Sequence, residues 1–194
     1  MTGPHRELEL KAVVPDPEQL RARMRAAGAE PRFAGRMTDV RYDRGGELAL
    51  RDHVLRVRTF RSADGRVESV AAWKGPTQRS ADGYKLREEI ELPVGGDAGG
   101  LLQALGYRPV QVIDREVEIW RLGRATARLE RYPRMDTLVE VEGEPAAIEQ
   151  AVAATGIPRR EFTAEPLLEF VRRFEERTGV RAELSLGPPV TVSR

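Results

Sequence analysis

The sequence contains no cysteine. Disulfide scaffolds, thiolate metal sites and cysteine nucleophiles are therefore excluded. Aromatic residues are scarce, 6% of the chain with two tryptophans, which leaves few rings for stacking nucleic-acid bases. Net charge is almost absent too, with 32 Lys and Arg against 31 Asp and Glu. That balance gives no overall pull toward nucleic acid or an anionic membrane, and no recognition-helix pattern is present. No apolar run approaches the roughly 18 residues of a spanning helix. Residues 1–15 alternate charged and apolar side chains and lack a signal-peptide core. P-loop and G-x-G-x-x-G motifs are missing, which removes those two routes to nucleotide phosphate. The expectation is a cytoplasmic protein with neither a nucleic-acid nor a membrane partner.

What the chain does have is abundant charge arranged with a period of two. Charged residues make up 32% and hydrophobic residues 40% of 194 positions, enough for one domain with a real core. Glu7, Glu9 and Lys11 share one strand face while Leu8, Leu10 and Ala12 share the other. The same period predicts strands at residues 37–43, 53–61, 66–74, 84–92, 110–120, 123–131 and 136–143. Asp16-Pro17-Glu18 predicts a helix with Asp16 as N-cap and Gly28 closing it. Further helices are expected at 97–105, 144–154 and 164–178. Arg-Ser-Ala-Asp-Gly occurs at 61–65 and again at 79–83, and both copies read as turns, because Asp-Gly supplies positive φ. The fold class implied is α+β: a single domain over residues 1–180, with a strand core at 5–143 and a helical part at 144–179. Residues 181–194, with Pro188-Pro189, read as a flexible tail. Eight antiparallel strands suggest a closed or nearly closed sheet with helices packed outside.

The charged faces recur across the strands. Arg56 and Arg58 lie together, Lys74 ends its strand, and Lys85, Arg87, Glu89 and Glu91 share a face. Arg128 with Glu130, and Glu140 with Glu142, repeat the pattern. On one strand, a solvated outer face explains such charges. Over six strands a second arrangement becomes available, with the charged faces turned into a lumen and helices covering the apolar outside. Carboxylates would then hold a hard divalent cation, and Arg and Lys would hold phosphate oxygens. His5 and His53 lack paired-ligand spacing. Trp73 and Trp120 read as outer-face residues, and Tyr42 as a candidate nucleoside contact.

Glu7-Leu8-Glu9-Leu10-Lys11 resembles the E-x-E-x-K signature of the CYTH superfamily, the triphosphate tunnel metalloenzymes. The resemblance continues in order through Leu55-Arg56-Val57-Arg58, Trp73-Lys74-Gly75-Pro76, Arg87-Glu88-Glu89-Ile90-Glu91, Leu105-Gly106-Tyr107 and Glu140-Val141-Glu142. It implies an eight-stranded antiparallel β-tunnel that binds a linear triphosphate with Mg²⁺ or Mn²⁺. Carried over by position, Glu7, Glu9, Glu89, Glu130, Glu140 and Glu142 are the implied metal ligands. Lys11, Arg56, Arg58, Lys74, Lys85, Arg87, Arg115 and Arg128 are the implied triphosphate clamp, with Lys11, Glu7 and Glu9 catalytic. The chain departs from the family pattern at Met37, Val117 and Glu130. The Lys-Gly-Pro run and the R-x-E-x-E strand are closest to the class IV adenylate cyclase branch, which converts ATP to cyclic AMP and pyrophosphate. Hydrolysis of inorganic or thiamine triphosphate is the alternative, and a polyphosphate- or nucleotide-binding module without turnover is the second. Some relatives form dimers, so a homodimer is possible, with the helix expected at 164–178 either at the interface or capping the tunnel.

Overall fold

The computed structural model describes residues 5–187. Strand β1 (His5–Val13) is followed by helix α1 (Pro17–Ala26) and the long strand β2 (Glu30–Asp43). Next come β3 (Val54–Ser62), β4 (Val67–Lys74), the two-residue β5 (Gln78–Arg79) and β6 (Lys85–Val94). Helix α2 (Ala98–Ala104), strands β7 (Arg108–Leu122), β8 (Ala125–Arg131) and β9 (Leu138–Glu142), and helices α3 (Pro145–Thr155) and α4 (Leu167–Thr178) complete the chain. Every pairing is antiparallel, in the order β1-β9-β8-β7-β2-β3-β4-β6, and β1 pairs back with β6. The sheet is therefore closed: eight strands form the expected tunnel, and closure removes the free edges.

Local chemistry accounts for the connections. Asp16 caps α1 by accepting the Gln19 N–H at 2.9 Å, and Pro17 occupies the first turn. The two Asp-Gly turns carry glycines at φ +86° (Gly65) and +82° (Gly83). Strand β5 is the continuation of β4 along β6 after Gly75-Pro76 interrupts the ladder, since proline has no N–H to donate. Sequence periodicity placed the start of β2 at Met37, whereas the strand begins seven residues earlier. Pro31 and a register shift between Pro31 and Phe33 break the alternation that would have revealed it. Helix α4 begins at Leu167 because Pro166 precedes it as N-cap, and Thr163 instead exchanges backbone hydrogen bonds with Lys11.

The apolar outer faces of β1, β8 and β9 meet α1 and α3. Leu10, Ala12, Ala127, Val139 and Val141 pack there with Leu20, Met24, Ile148 and Val152, all nearly solvent-free. Trp120 joins this outer core, and Tyr42 also faces outward, under α2. Its hydroxyl stands 2.6 Å from where a Cβ at Gly99 would lie, so only glycine lets the helix sit so close. Because strand directions alternate, the ends of β1, β2, β4 and β8 share one rim with the starts of β3, β6, β7 and β9. Helix α4 lies across part of this rim, where Phe170 packs on Ile113, Tyr132 and Leu138. That places the helix as a cap on the tunnel. Residues 181–187, read from sequence as the beginning of the tail, are fastened to the barrel. Glu183 exchanges backbone hydrogen bonds with Arg134, and the Asp114 carboxylate accepts from Ser185 Oγ (3.1 Å) and Leu186 N (3.2 Å). Residues 188–194 lie outside the described residues. No helix among the described residues is long and apolar enough to cross a membrane.

Candidate active site

The inward positions of the barrel are the charged ones. Glu7, Glu9, Lys11, Arg56, Arg58, Lys74, Arg87, Glu89, Arg115, Glu130 and Glu140 are all buried, while Lys85, Arg128 and Glu142 are half-buried. All fourteen residues singled out from the sequence thus face one lumen. Register sets this arrangement: Glu7 stands opposite Arg87, Glu9 opposite Lys85, Lys11 opposite Glu140, and Lys74 opposite Glu89. The lumen holds a cavity of about 350 Å³ bordered by Glu9, Lys11, Arg56, Arg115, Arg128 and Glu140 on its walls, with Pro166–Leu168 at the rim. That volume is at the lower end of the small-molecule range.

Buried charge is tolerated only when paired, and nearly every group here has a partner. Lys11 Nζ lies 2.7 Å from Glu9 and 2.5 Å from Glu140. Lys74 contacts Glu7 at 2.5 Å and Glu89 at 3.1 Å. Glu130 accepts from Arg115 Nε at 3.1 Å, Arg128 Nε at 2.7 Å and the Tyr132 hydroxyl at 2.5 Å. Arg128 also pairs with Glu140, and Lys85 with Glu9. Arg87 donates to the carbonyl oxygens of Gly75 and Asp52, each at 2.7 Å. The Lys-Gly-Pro run thus turns a backbone oxygen inward to orient the Arg87 guanidinium.

These pairings set the protonation states. Burial would lower the Lys11 pKa, but Glu140 and Glu9 outweigh it and hold the ammonium well above the usual lysine range. Lys11 therefore stays a cation and cannot serve as a general base. Burial and Glu140 would raise Glu9, yet Lys11, Lys85 and Lys74 hold it at about 2. Glu142 behaves in the opposite way. Burial, then the nearby carboxylates Glu7 and Glu140, push it up to about 7. Among the described residues no hydrogen bond or ion pair to Glu142 compensates, and one carboxylate oxygen each from Glu7, Glu140 and Glu142 lies within 4.8 Å of the others. Three hard oxygen donors crowded without a proton-sharing bond suit a divalent cation such as Mg²⁺ or Mn²⁺. Glu9, Glu89 and Glu130, the other three carboxylates implied as ligands, are not part of this group of oxygens; each is paired with lysine or arginine, as Glu7 and Glu140 also are. A divalent cation held at this triad would compete with the proton of Glu142, so its affinity would weaken as pH falls through about 7. The limiting slope is about tenfold per pH unit for one displaced proton. Calorimetric titration with Mn²⁺ between pH 6 and 8.5 measures it.

The opposite wall, on β2, β3 and β7, is built from guanidiniums. Arg58 forks onto Asp39 at 2.7 and 2.9 Å, Arg115 reaches the same carboxylate at 2.9 Å, and Arg56 lies 3.8 Å away. Against the burial penalty, these three arginines keep Asp39 ionised, with its pKa well below the usual aspartate range. Asp39, Arg41 and Tyr132 were not chosen from the sequence as site residues. Asp39 and Arg41 sit at i and i+2 on β2 with the same alternation that singled out Glu7 and Glu9, so the signal was present. Tyr132 lies just past the end of β8, where periodicity has no hold.

No family model matches the sequence, and no curated protein does. Solved structures do. A candidate adenylate cyclase from Vibrio parahaemolyticus superposes with TM-score 0.72 at 17% identity, covering 88% of this chain and 99% of that one. Protein PH1819 from Pyrococcus horikoshii OT3 gives 0.69 at 22% identity, covering 86% and 98%. HpAC1 from Hippeastrum, an adenylyl cyclase candidate with a dominant triphosphatase activity, gives 0.61 at 15% identity, covering 92% and 98%. The likeness is one of fold: a single-domain antiparallel β-tunnel with helices packed outside. In this tunnel the outward positions of β1, β8 and β9 hold the structural core and the inward positions hold the charge. His53 sits outside the lumen set, edge-on to Trp73 with ring centroids 5.2 Å apart.

Proposed function

We propose that this protein is a divalent-metal-dependent enzyme that cleaves a phosphoanhydride bond of a linear triphosphate inside the tunnel. The observation that carries the reading is the division of one lumen into two walls. A carboxylate triad, Glu7, Glu140 and Glu142, with Lys11 and Lys74 beside it, shares the lumen with a wall of guanidinium groups. An anion alone would not call for the triad, and a metal alone would not call for the cations. A metal-bound polyphosphate calls for both.

In this reading Glu7, Glu140 and Glu142 hold the ion, which when bound neutralises charge on the phosphate oxygens. Lys11, Arg56, Arg58, Lys74, Lys85, Arg87, Arg115 and Arg128 grip the phosphate chain and stabilise charge that develops as the bond breaks. Lys11 donates to a phosphate oxygen and keeps its proton. Glu9, ionised at all working pH values, fixes the positions of Lys11 and Lys85. Helix α4, with Phe170 over the rim, limits the access of bulk water.

Hydrolysis is favoured over cyclisation by the lining of the cavity. Among the described residues, its only aromatic is Tyr132, whose hydroxyl is committed to Glu130. Tyr42 and Trp120 lie on the outside, so neither offers a nucleobase platform. The dominant triphosphatase activity of the Hippeastrum neighbour is in line with this. The cyclase is the second reading, and the apolar edge formed by Pro166, Leu167 and Leu168 at the rim is what favours it, since a nucleoside could rest there. The deciding assay supplies Mg²⁺ or Mn²⁺ with ATP, inorganic triphosphate or thiamine triphosphate and separates the products. Phosphate released from a triphosphate supports hydrolysis, cyclic AMP with pyrophosphate selects the cyclase, and tight binding without product overturns the enzyme reading.

A further inference from the structure

Three buried side-chain nitrogens in the lumen have no hydrogen-bond partner: Arg41 Nε, Arg56 Nε and Arg115 Nη1. Only Trp120 Nε1, in the outer core, shares that condition among the described residues. Unpaired buried donors are costly, so three in one cavity require an account. Arg56 and Arg115 at least reach carboxylates through their other nitrogens. Arg41 has no ion pair among the described residues. Burial, then its neighbours Arg56, Arg115 and Arg87, hold its pKa down to about 10 against the pull of Asp39. Such a guanidinium is relieved by an anion that arrives from outside.

Its place along the barrel says which part of the anion it meets. Arg41 pairs with Arg56 on β3 and Gln111 on β7, one pleat nearer the rim than Asp39, which pairs with Arg58 and Ile113. At that rim Asp52, Thr77 and residues 166–168 border the cavity. The carboxylate triad stands toward the other end, where β1 starts and β9 finishes.

Resting on the triphosphate reading above, we propose that Arg41 is a specificity-determining residue. With the unpaired N–H group of Arg56, its neighbour on β3, it binds the phosphate at the rim end of the ligand. Arg41 then reads the charge of that phosphate. An unesterified end phosphate carries a second negative charge that a nucleoside-bearing phosphate lacks, so Arg41 favours the unesterified ligand.

The test compares wild-type protein with Arg41→Gln and Arg41→Lys by calorimetry, using inorganic triphosphate and ATP, first in EDTA and then with Mg²⁺. For Arg41→Gln, losing a charge-assisted contact weakens inorganic triphosphate by about tenfold and ATP by less than about threefold, and Lys restores part of the difference. Thermal unfolding without ligand supplies a readout that a structural role would move the other way. The midpoint of Arg41→Gln stays level or rises, because an uncompensated buried cation has been removed. Equal losses for the two ligands, no loss for either, or a clear fall in the ligand-free midpoint overturns the assignment. Failure of the wild-type protein to bind either ligand under both conditions sinks the triphosphate reading itself, and this inference with it.

Discussion

Glu142→Gln is expected to cut metal-dependent turnover by at least about a hundredfold while making the metal-free protein more stable. The first half follows from its place in the triad, because losing a direct oxygen ligand costs no less than the upper end of what outer-shell changes cost. The second half follows from the sign of its pKa. A carboxyl raised from 4.5 to about 7 binds its proton more tightly folded than unfolded, so stability declines as pH rises across that window. Above pH 7 the ionised group costs on the order of 3 kcal/mol, which glutamine does not incur. The unfolding midpoint of the variant at pH 8 is therefore expected to exceed that of the wild type, with the gap closing toward pH 5. Adding Mn²⁺ raises the wild-type midpoint and leaves the variant where it was. The partners of this residue make the experiment clean. Glu7→Gln would take from Lys74 one of its two carboxylate partners, and Glu140→Gln one from each of Lys11 and Arg128, whereas among the described residues Glu142 has no ion pair to break. A variant that still binds Mn²⁺ as tightly as the wild type would show that the triad does not hold the metal.

Part of the lumen was legible in the sequence. The period-two placement of Glu7, Glu9, Arg56, Arg58, Glu140 and Glu142 identified the lumen face, because alternation is a local property of one strand. It also gave eight strands and their order along the chain. It could not say that the charged faces turn inward, since Leu8 and Leu10 alternate equally well in either case. Only closure through the β1–β6 pairing settles that. Nor could it separate Glu142 from Glu9. Both belong to E-x-E pairs, yet Lys85 and Lys11 claim Glu9, while among the described residues no ion pair or hydrogen bond claims Glu142. That distinction depends on which residues register brings across the barrel. The early start of β2 was hidden by Pro31 and an irregular register, and the fastening of 181–187 rests on Asp114, a residue 67 or more positions away in the chain.

Asp39→Asn is expected to be the most destabilising change in the lumen, lowering the unfolding midpoint by on the order of 10 °C. Asp39 is the one carboxylate on the guanidinium wall that Arg58, Arg115 and Arg56 share, and an amide cannot accept from all of them as an anion does. Breaking a buried ion pair from one side costs about 3–5 kcal/mol, because charge is left behind without a counterion. The pH dependence gives the cause. Arginines depress the Asp39 pKa in the folded state, so its contribution is present in full above the unfolded value near 3.8. It is lost only as pH falls through the lower folded value. The gap between wild type and variant should therefore stay constant from pH 8 to 5 and shrink only in strong acid. Inorganic triphosphate should recover more stability in the variant than in the wild type, because an anion entering the lumen takes over the charge that Asp39 no longer supplies. If the two proteins instead unfold at the same temperature at pH 7, the guanidiniums are balanced by solvent and not by Asp39. The wall would then be open enough for water to screen its grip on a phosphate chain, and the division of the lumen into two desolvated walls would fail with it.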